Sequence, residues 1–113
     1  MLLLTTIGRR TGQAHTTPLV YVPDGPSYLV VAAYGGLPWH PAWYLNLEDE
    51  PRATVVIDGV AMRVDATTVS GDARDRLWPT MAAGIATLTK SASLAAPRAI
   101  PLVRLTPRQG VPR

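Results

Sequence analysis

The sequence predicts a mostly antiparallel, six-stranded, barrel-like α+β domain with two helical segments. Three observations carry that reading. Eleven prolines and nine glycines among 113 residues fall between short apolar stretches, the punctuation of many short elements. Three strand-like stretches precede any helical one, and strands and helices never alternate as a doubly wound parallel sheet requires. The length suits one core, since a chain of this size buries roughly two thirds of its unfolded surface.

The elements follow in order. Leu2 to Ile7 reads as a strand, closed by the glycine-bounded turn Gly8-Arg9-Arg10-Thr11-Gly12. His15 to Val22 is a second strand, and Pro23-Asp24-Gly25-Pro26 turns it into a third, Ser27 to Tyr34, whose Leu29-Val30-Val31 run suits burial on both faces. Gly35-Gly36 ends that strand. His40-Pro41 marks a helix start, with Pro41 at the first helical position, and the helix stops before Pro51. Arg52 to Ile57 and Val60 to Val69 form a hairpin about Asp58-Gly59, two residues that tolerate the positive φ of a type I′ turn. Asp72 caps a second helix beginning at Ala73, and Leu77, Met81, Ile85 and Leu88 share one apolar stripe. Pro79 kinks that helix or begins a new segment. Thr87 to Pro97, small and polar, reads as a loop or frayed turn, and Ile100 to Leu105 as the last strand. One domain is assigned to residues 1–107 and a flexible tail to 108–113.

Composition removes several classes of function. The chain has no cysteine, which excludes disulfides, thiolate metal sites and a cysteine nucleophile. Its longest apolar run, Met1 to Leu4, is far short of the ~20 residues that span a bilayer. No basic n-region or cleavage motif accompanies it, so a cytoplasmic location is expected. Ten of the eleven basic residues are arginine and the formal charge is +3. The planar guanidinium suits phosphate and carboxylate ligands. These arginines are scattered, phenylalanine is absent and no helix carries a basic face, so nucleic acid is not an expected partner. P-loop, dinucleotide-binding and serine-hydrolase motifs are missing, and His15 and His40 have no metal-ligand pattern around them.

Two clusters stand out. Gly8-Arg9-Arg10-Thr11-Gly12 gathers two guanidiniums, a hydroxyl and several turn N–H groups. Such a turn cradles an anion, or is an ordinary hairpin with solvated arginines. In the stretch from Gly35 to Tyr44, paired glycines let a ligand approach the backbone, and the helix start at Pro41 offers unpaired N–H groups to negative charge. The same stretch also reads as a tight crossover with two tryptophans packed in the core. A flat aromatic ligand with an anionic tail would use both clusters.

Taken in order, several segments resemble the deazaflavin-dependent nitroreductase family over nearly the whole chain, from Leu3 to Pro107. They are Leu3-Leu4-Thr5-Thr6-Ile7-Gly8-Arg9-Arg10-Thr11-Gly12, Thr17-Pro18-Leu19-Val20-Tyr21, Gly35-Gly36, His40-Pro41-Ala42-Trp43-Tyr44-Leu45-Asn46-Leu47, Pro51-Arg52 and Arg98-Ala99-Ile100-Pro101. The resemblance implies a split β-barrel of the FMN-binding split barrel-like type and the 8-hydroxy-5-deazaflavin coenzyme F420, with FMN as the weaker alternative. It further implies hydride transfer to a quinone, a nitroaromatic or another hydrophobic conjugated acceptor. Carried over by residue, Arg9, Arg10, Thr11, Gly12 and His15 would hold the phosphate and acidic tail. The backbone of Ala32, Ala33, Tyr34, Gly35 and Gly36 would lie along the ring, and Pro41, Ala42 and Trp43 would line its far side. No catalytic side chain is expected, because the coenzyme supplies the hydride and the protein orients it.

Four departures qualify the resemblance. His15 stands where relatives carry an arginine, and Ala33 where they often carry a serine near the ring. Gly84 to Ser91 contains none of the tyrosines that line the relatives' acceptor pocket, so Ile85 and Leu88 make that wall greasier. A helical segment that relatives place before the first strand has no counterpart, which leaves one barrel mouth open or the chain incomplete. The rival readings are a non-catalytic barrel holding a lipid or other apolar ligand, and an FMN-binding relative. Peripheral contact with a membrane and a homodimer are left open.

Overall fold

A computed structural model describes residues 1–33, 36–37, 39–96 and 98–108. Among them, seven strands form one sheet: β1 (Leu2–Ile7), β2 (Ala14–Leu19), β3 (Val22–Asp24), β4 (Ser27–Val31), β5 (Arg52–Ile57), β6 (Val60–Val69) and β7 (Leu102–Pro107). Three helices accompany it: α1 (Ala42–Asp49), α2 (Gly71–Gly84) and α3 (Leu88–Ala95). The strand order is β2-β1-β5-β6-β7-β4-β3, and every pair is antiparallel.

That order forces the sheet to curl. In a flat sheet, six inter-strand steps would hold the two edges about 29 Å apart. Yet the edge strands β2 and β3 are consecutive, and the chain passes from Leu19 to Val22, a reach of at most about 11 Å. The sheet therefore bends into a half-barrel whose two edges meet at the Val20-Tyr21 corner. Strand alternation then sorts side chains into two cores. Leu2, Leu4, Val30, Val55, Val64, Val103 and Leu105 fill the inside together with Trp43, Tyr44 and Leu47 of α1. On the opposite face Leu29, Val69 and Leu102 pack with Met81 of α2 and with Leu88 and Ala95 of α3.

The structure corrects the predicted outline in several places. There are seven strands rather than six, because the expected His15–Val22 strand breaks at the corner where the sheet changes edge. The third predicted strand stops at Val31: the Ala32 N–H still donates to the Pro101 carbonyl at 3.0 Å, in register with the β4–β7 ladder, but Pro101 has no N–H to return; its predicted end, Tyr34, lies outside the described residues. Pro41 is the N-cap of α1 rather than its first helical residue, with an extended ψ of 152°. Ser70, not Asp72, occupies the N-cap of α2, and Asp72 falls in its first turn. Pro79 sits inside α2 without ending it; Asp75 and Pro79 are exposed, so water can take the carbonyl that proline leaves unpaired. The predicted loop Thr87–Pro97 contains a third helix, α3, held by burial of Leu88, Ser91 and Ala95. The last strand runs Leu102–Pro107, and the Arg108 N–H donates to the Arg63 carbonyl at 2.8 Å, so the predicted tail is tied down at its first residue. Residues 109–113 lie outside the described residues. The Asp58-Gly59 turn is as expected, with φ of 49° and 79°. Among the described residues no helix is long and apolar enough to cross a membrane.

Gly36 locks α3 to the rest of the molecule. Its φ is +83°, and a Cβ there would lie 2.7 Å from Leu94 Cβ and 3.1 Å from the Ser91 carbonyl oxygen. Gly25 also has a positive φ, +58°, with nothing within 4 Å of the same built atom. Gly25→Ala should therefore cost about 1 kcal/mol of backbone strain alone. Gly36→Ala adds a clash against a helix and should cost about 2–3 kcal/mol. Thermal unfolding of the two variants checks the order; equal midpoints would contradict the packing argument.

Candidate functional site

The strand register places the first cluster. Thr6 pairs with His15 across β1 and β2, so both side chains fall on the inner side of the half-barrel. The six residues between the strands close tightly: the Gly12 N–H donates to the Gly8 carbonyl at 2.8 Å, and the Gly8 N–H to the Gln13 carbonyl at 2.7 Å. The Thr11 hydroxyl accepts the Gln13 N–H at 3.2 Å, and Gly12 takes a φ of +73°. A Cβ at Gly8 would lie 3.0 Å from His15 Nε2 and 3.0 Å from Thr11 Oγ1. Glycine there lets the imidazole pack over the turn.

Asn46 of α1 fixes the turn from below. Its Oδ1 accepts the Arg9 backbone N–H at 3.2 Å and the Arg9 guanidinium Nη1 at 2.9 Å. Its Nδ2 donates to Thr6 Oγ1 at 3.2 Å. Both Asn46 and Thr6 are buried, so one amide settles a buried hydroxyl and holds an exposed arginine at the same time. Thr6, Gly8, Arg9, Arg10, Thr11, His15, Thr16 and Thr17 surround a cavity of about 440 Å³, closed by Ala42, Trp43 and Asn46. Ala42 and Trp43 open α1, where backbone N–H groups lack intrahelical partners, and no acidic residue in the first turn offsets the positive helix end. Guanidiniums, imidazole, hydroxyls and a helix start thus surround one space with donors.

A second cavity, of about 450 Å³, adjoins it, because Thr17, Ala42 and Trp43 line both. Its remaining walls are apolar: Met1, Pro18, Leu19, Val20, Val31, Ala33, Pro41 and Ile85. The pair forms one groove with a cationic end and a greasy end. The resolved pKa shifts lie outside it: hydrogen bonds from the Arg52 guanidinium and backbone hold the exposed Glu50 carboxyl below its usual value, and Arg52 is raised in return.

The predicted site residues divide cleanly. Arg9, Arg10, Thr11 and His15 line the polar cavity, Ala33 and Pro41 the apolar one, and Ala42 and Trp43 both. Gly12 shapes the turn without lining either cavity. Ala32 is fully buried in the inner core, and Gly36 is turned toward α3. Tyr34 and Gly35 lie outside the described residues. Sequence reasoning missed Asn46 and Arg98 as site residues. Arg98 donates from Nε to the Leu37 carbonyl, from Nη1 to the Ala32 carbonyl and His40 Nδ1, and from Nη2 to the Ala33 carbonyl, at 2.8–3.0 Å. Both residues stood inside quoted motifs, yet nothing local to either reveals a partner dozens of positions away.

Comparison with known proteins gives the chain its relatives. A family model described as F420H(2)-dependent quinone reductase matches residues 1–107. The F420H(2)-dependent quinone reductase Rv1261c of Mycobacterium tuberculosis (strain ATCC 25618 / H37Rv) is 38% identical over 109 residues, covering 95% of this chain and 73% of the relative. Among solved structures, the F420-H2 dependent reductase FDR-A superposes with a TM-score of 0.82 at 27% identity, over 92% of this chain and 91% of its own. A structure described as a domain-swapped dimer superposes with a TM-score of 0.83 at 27% identity, over 92% of this chain and 78% of its own.

Proposed function

The chain belongs to the F420H(2)-dependent quinone reductase family, and on that premise we propose that its groove seats the coenzyme with the anionic end among Arg9, Arg10 and His15 and the ring beside Ala33, Pro41 and Trp43. The protein is an F420-dependent reductase, and coenzyme F420 is its cofactor. The residues fit that group. Arginine forks, hydroxyls and helix N–H groups suit a phosphate and carboxylates, and the adjoining apolar walls suit a flat ring. Bound there, the reduced coenzyme supplies a hydride. The chain's own work is to anchor, orient and exclude water. Arg9 is aimed by Asn46, Trp43 and Pro41 form one wall, and Ile85, Leu19 and Val20 leave the acceptor an apolar approach. The carrying observation is the continuity of the two cavities through Thr17, Ala42 and Trp43.

The acceptor that this greasy end favours is a hydrophobic quinone. Mixing the protein with reduced coenzyme and menadione should oxidise the coenzyme catalytically, read by deazaflavin absorbance, and faster than with a nitroaromatic acceptor. Equilibrium titration should favour F420 over FMN. Absence of turnover, or tighter binding of FMN, would overturn the proposal. Self-association is supported by the domain-swapped relative, and light scattering at two protein concentrations reads it.

A further inference from the structure

We propose that Arg98 is a positioning residue that sets the separation between the two walls of the apolar slot, and so the geometry of hydride transfer. One wall, Ala33, follows the end of β4; the other, Pro41 to Trp43, begins α1. At the end of β4 the Ala32 carbonyl faces Pro101, which has no N–H to return, and the Ala33 carbonyl accepts only the Gly36 N–H, at 3.0 Å, from the backbone of the described residues. One guanidinium takes up that role on both sides. It reaches the Ala32 carbonyl at 3.0 Å and the Ala33 carbonyl at 2.8 Å on the strand side. On the helix side it reaches the Leu37 carbonyl at 2.9 Å and His40 Nδ1 at 3.0 Å.

Only arginine can do this. Its five N–H groups lie in one rigid plane, whereas a lysine ammonium is a point donor that cannot span both walls. Three of the four partners are backbone carbonyls and none is a carboxylate, so the side chain acts as a brace rather than as half of an ion pair. The brace is itself seated: the Arg98 N–H donates to the Ala95 carbonyl at 2.9 Å, where α3 ends. α3 in turn rests on Gly36 through Leu94 and Ser91. Arg98 lines neither cavity, so its influence on a bound ring passes through Ala33 and Pro41.

The consequence for activity rests on the coenzyme reading above; the consequence for the backbone does not, and the test separates them. In the ligand-free chain, Arg98→Gln should raise amide hydrogen exchange tenfold or more in peptides covering residues 32–43, with β5 and β6 unchanged. With F420 and menadione, Arg98→Gln should lower kcat at least tenfold while the coenzyme Kd moves less than threefold, because the anionic end is held elsewhere. Arg98→Lys should not restore kcat, and ethylguanidinium added to Arg98→Ala should restore part of it. Unchanged exchange at 32–43, or exchange rising across the whole chain, would overturn the brace. A coenzyme affinity that falls in parallel with kcat would also overturn it. Failure of the parent protein to bind F420 would instead count against the proposed function, and the exchange measurement would still judge Arg98.

Discussion

Replacing Arg9 and Arg10 together by alanine is expected to lower coenzyme affinity at least a hundredfold while the chain stays folded. Each guanidinium offers a charge-assisted contact of about 1.5–3 kcal/mol to an anion, so a single Arg9→Ala should cost tenfold or more. Both side chains are exposed on the turn, and neither fills a core, so folding should survive their loss. Arg9 is the more demanding of the two. Its Nη1 is already committed to Asn46 Oδ1 at 2.9 Å, which fixes the plane of the guanidinium and leaves the remaining N–H groups for a ligand. Arg9→Lys should therefore fall well short of restoring affinity, because an ammonium keeps the charge without the fork. Titration of the coenzyme's fluorescence reads both variants, and affinity equal to the parent's would remove the two arginines from the site.

Asn46→Ala should be the most damaging single change, because it acts on both fold and site. It deletes three hydrogen bonds, two to Arg9 and one to Thr6. Thr6 is fully buried, so its hydroxyl would lose a partner without gaining water. A buried polar group left so, with the small void beside it, costs about 2–3 kcal/mol, or roughly 8–12 °C in the unfolding midpoint of a domain this size. Coenzyme affinity should drop as well, since the turn loses its anchor to α1. Calorimetry and titration together check this; a variant that melts lower but binds normally would show that Asn46 serves the fold alone.

What the sequence disclosed and what it hid follow from the range of the forces involved. The Asp58-Gly59 hairpin was legible because a two-residue turn is a local demand on φ, met by those two residues themselves. The double-arginine turn was legible for the same reason. The break between β2 and β3 was not: His15 to Val22 is one uninterrupted strand-like run, and it ends only because the curling sheet brings its two edges to Val20-Tyr21. α3 was hidden because Thr89, Ser91 and Ser93 are indifferent helix formers. Its stability comes from Leu88 and Ala95 in the outer core and from Gly36, far off in sequence. Asn46 and Arg98 follow the same rule: an amide and a guanidinium have no visible role until folding delivers Thr6 and Arg9 to one, and Ala32 and Leu37 to the other.

A crystal structure with oxidised F420 bound would show directly how the groove seats the coenzyme. The phosphate and acidic tail should lie against Arg9 and Arg10, and the deazaflavin ring between Ala33 and Trp43. Arginine side chains turned to bulk water, with the ring outside that slot, would contradict it.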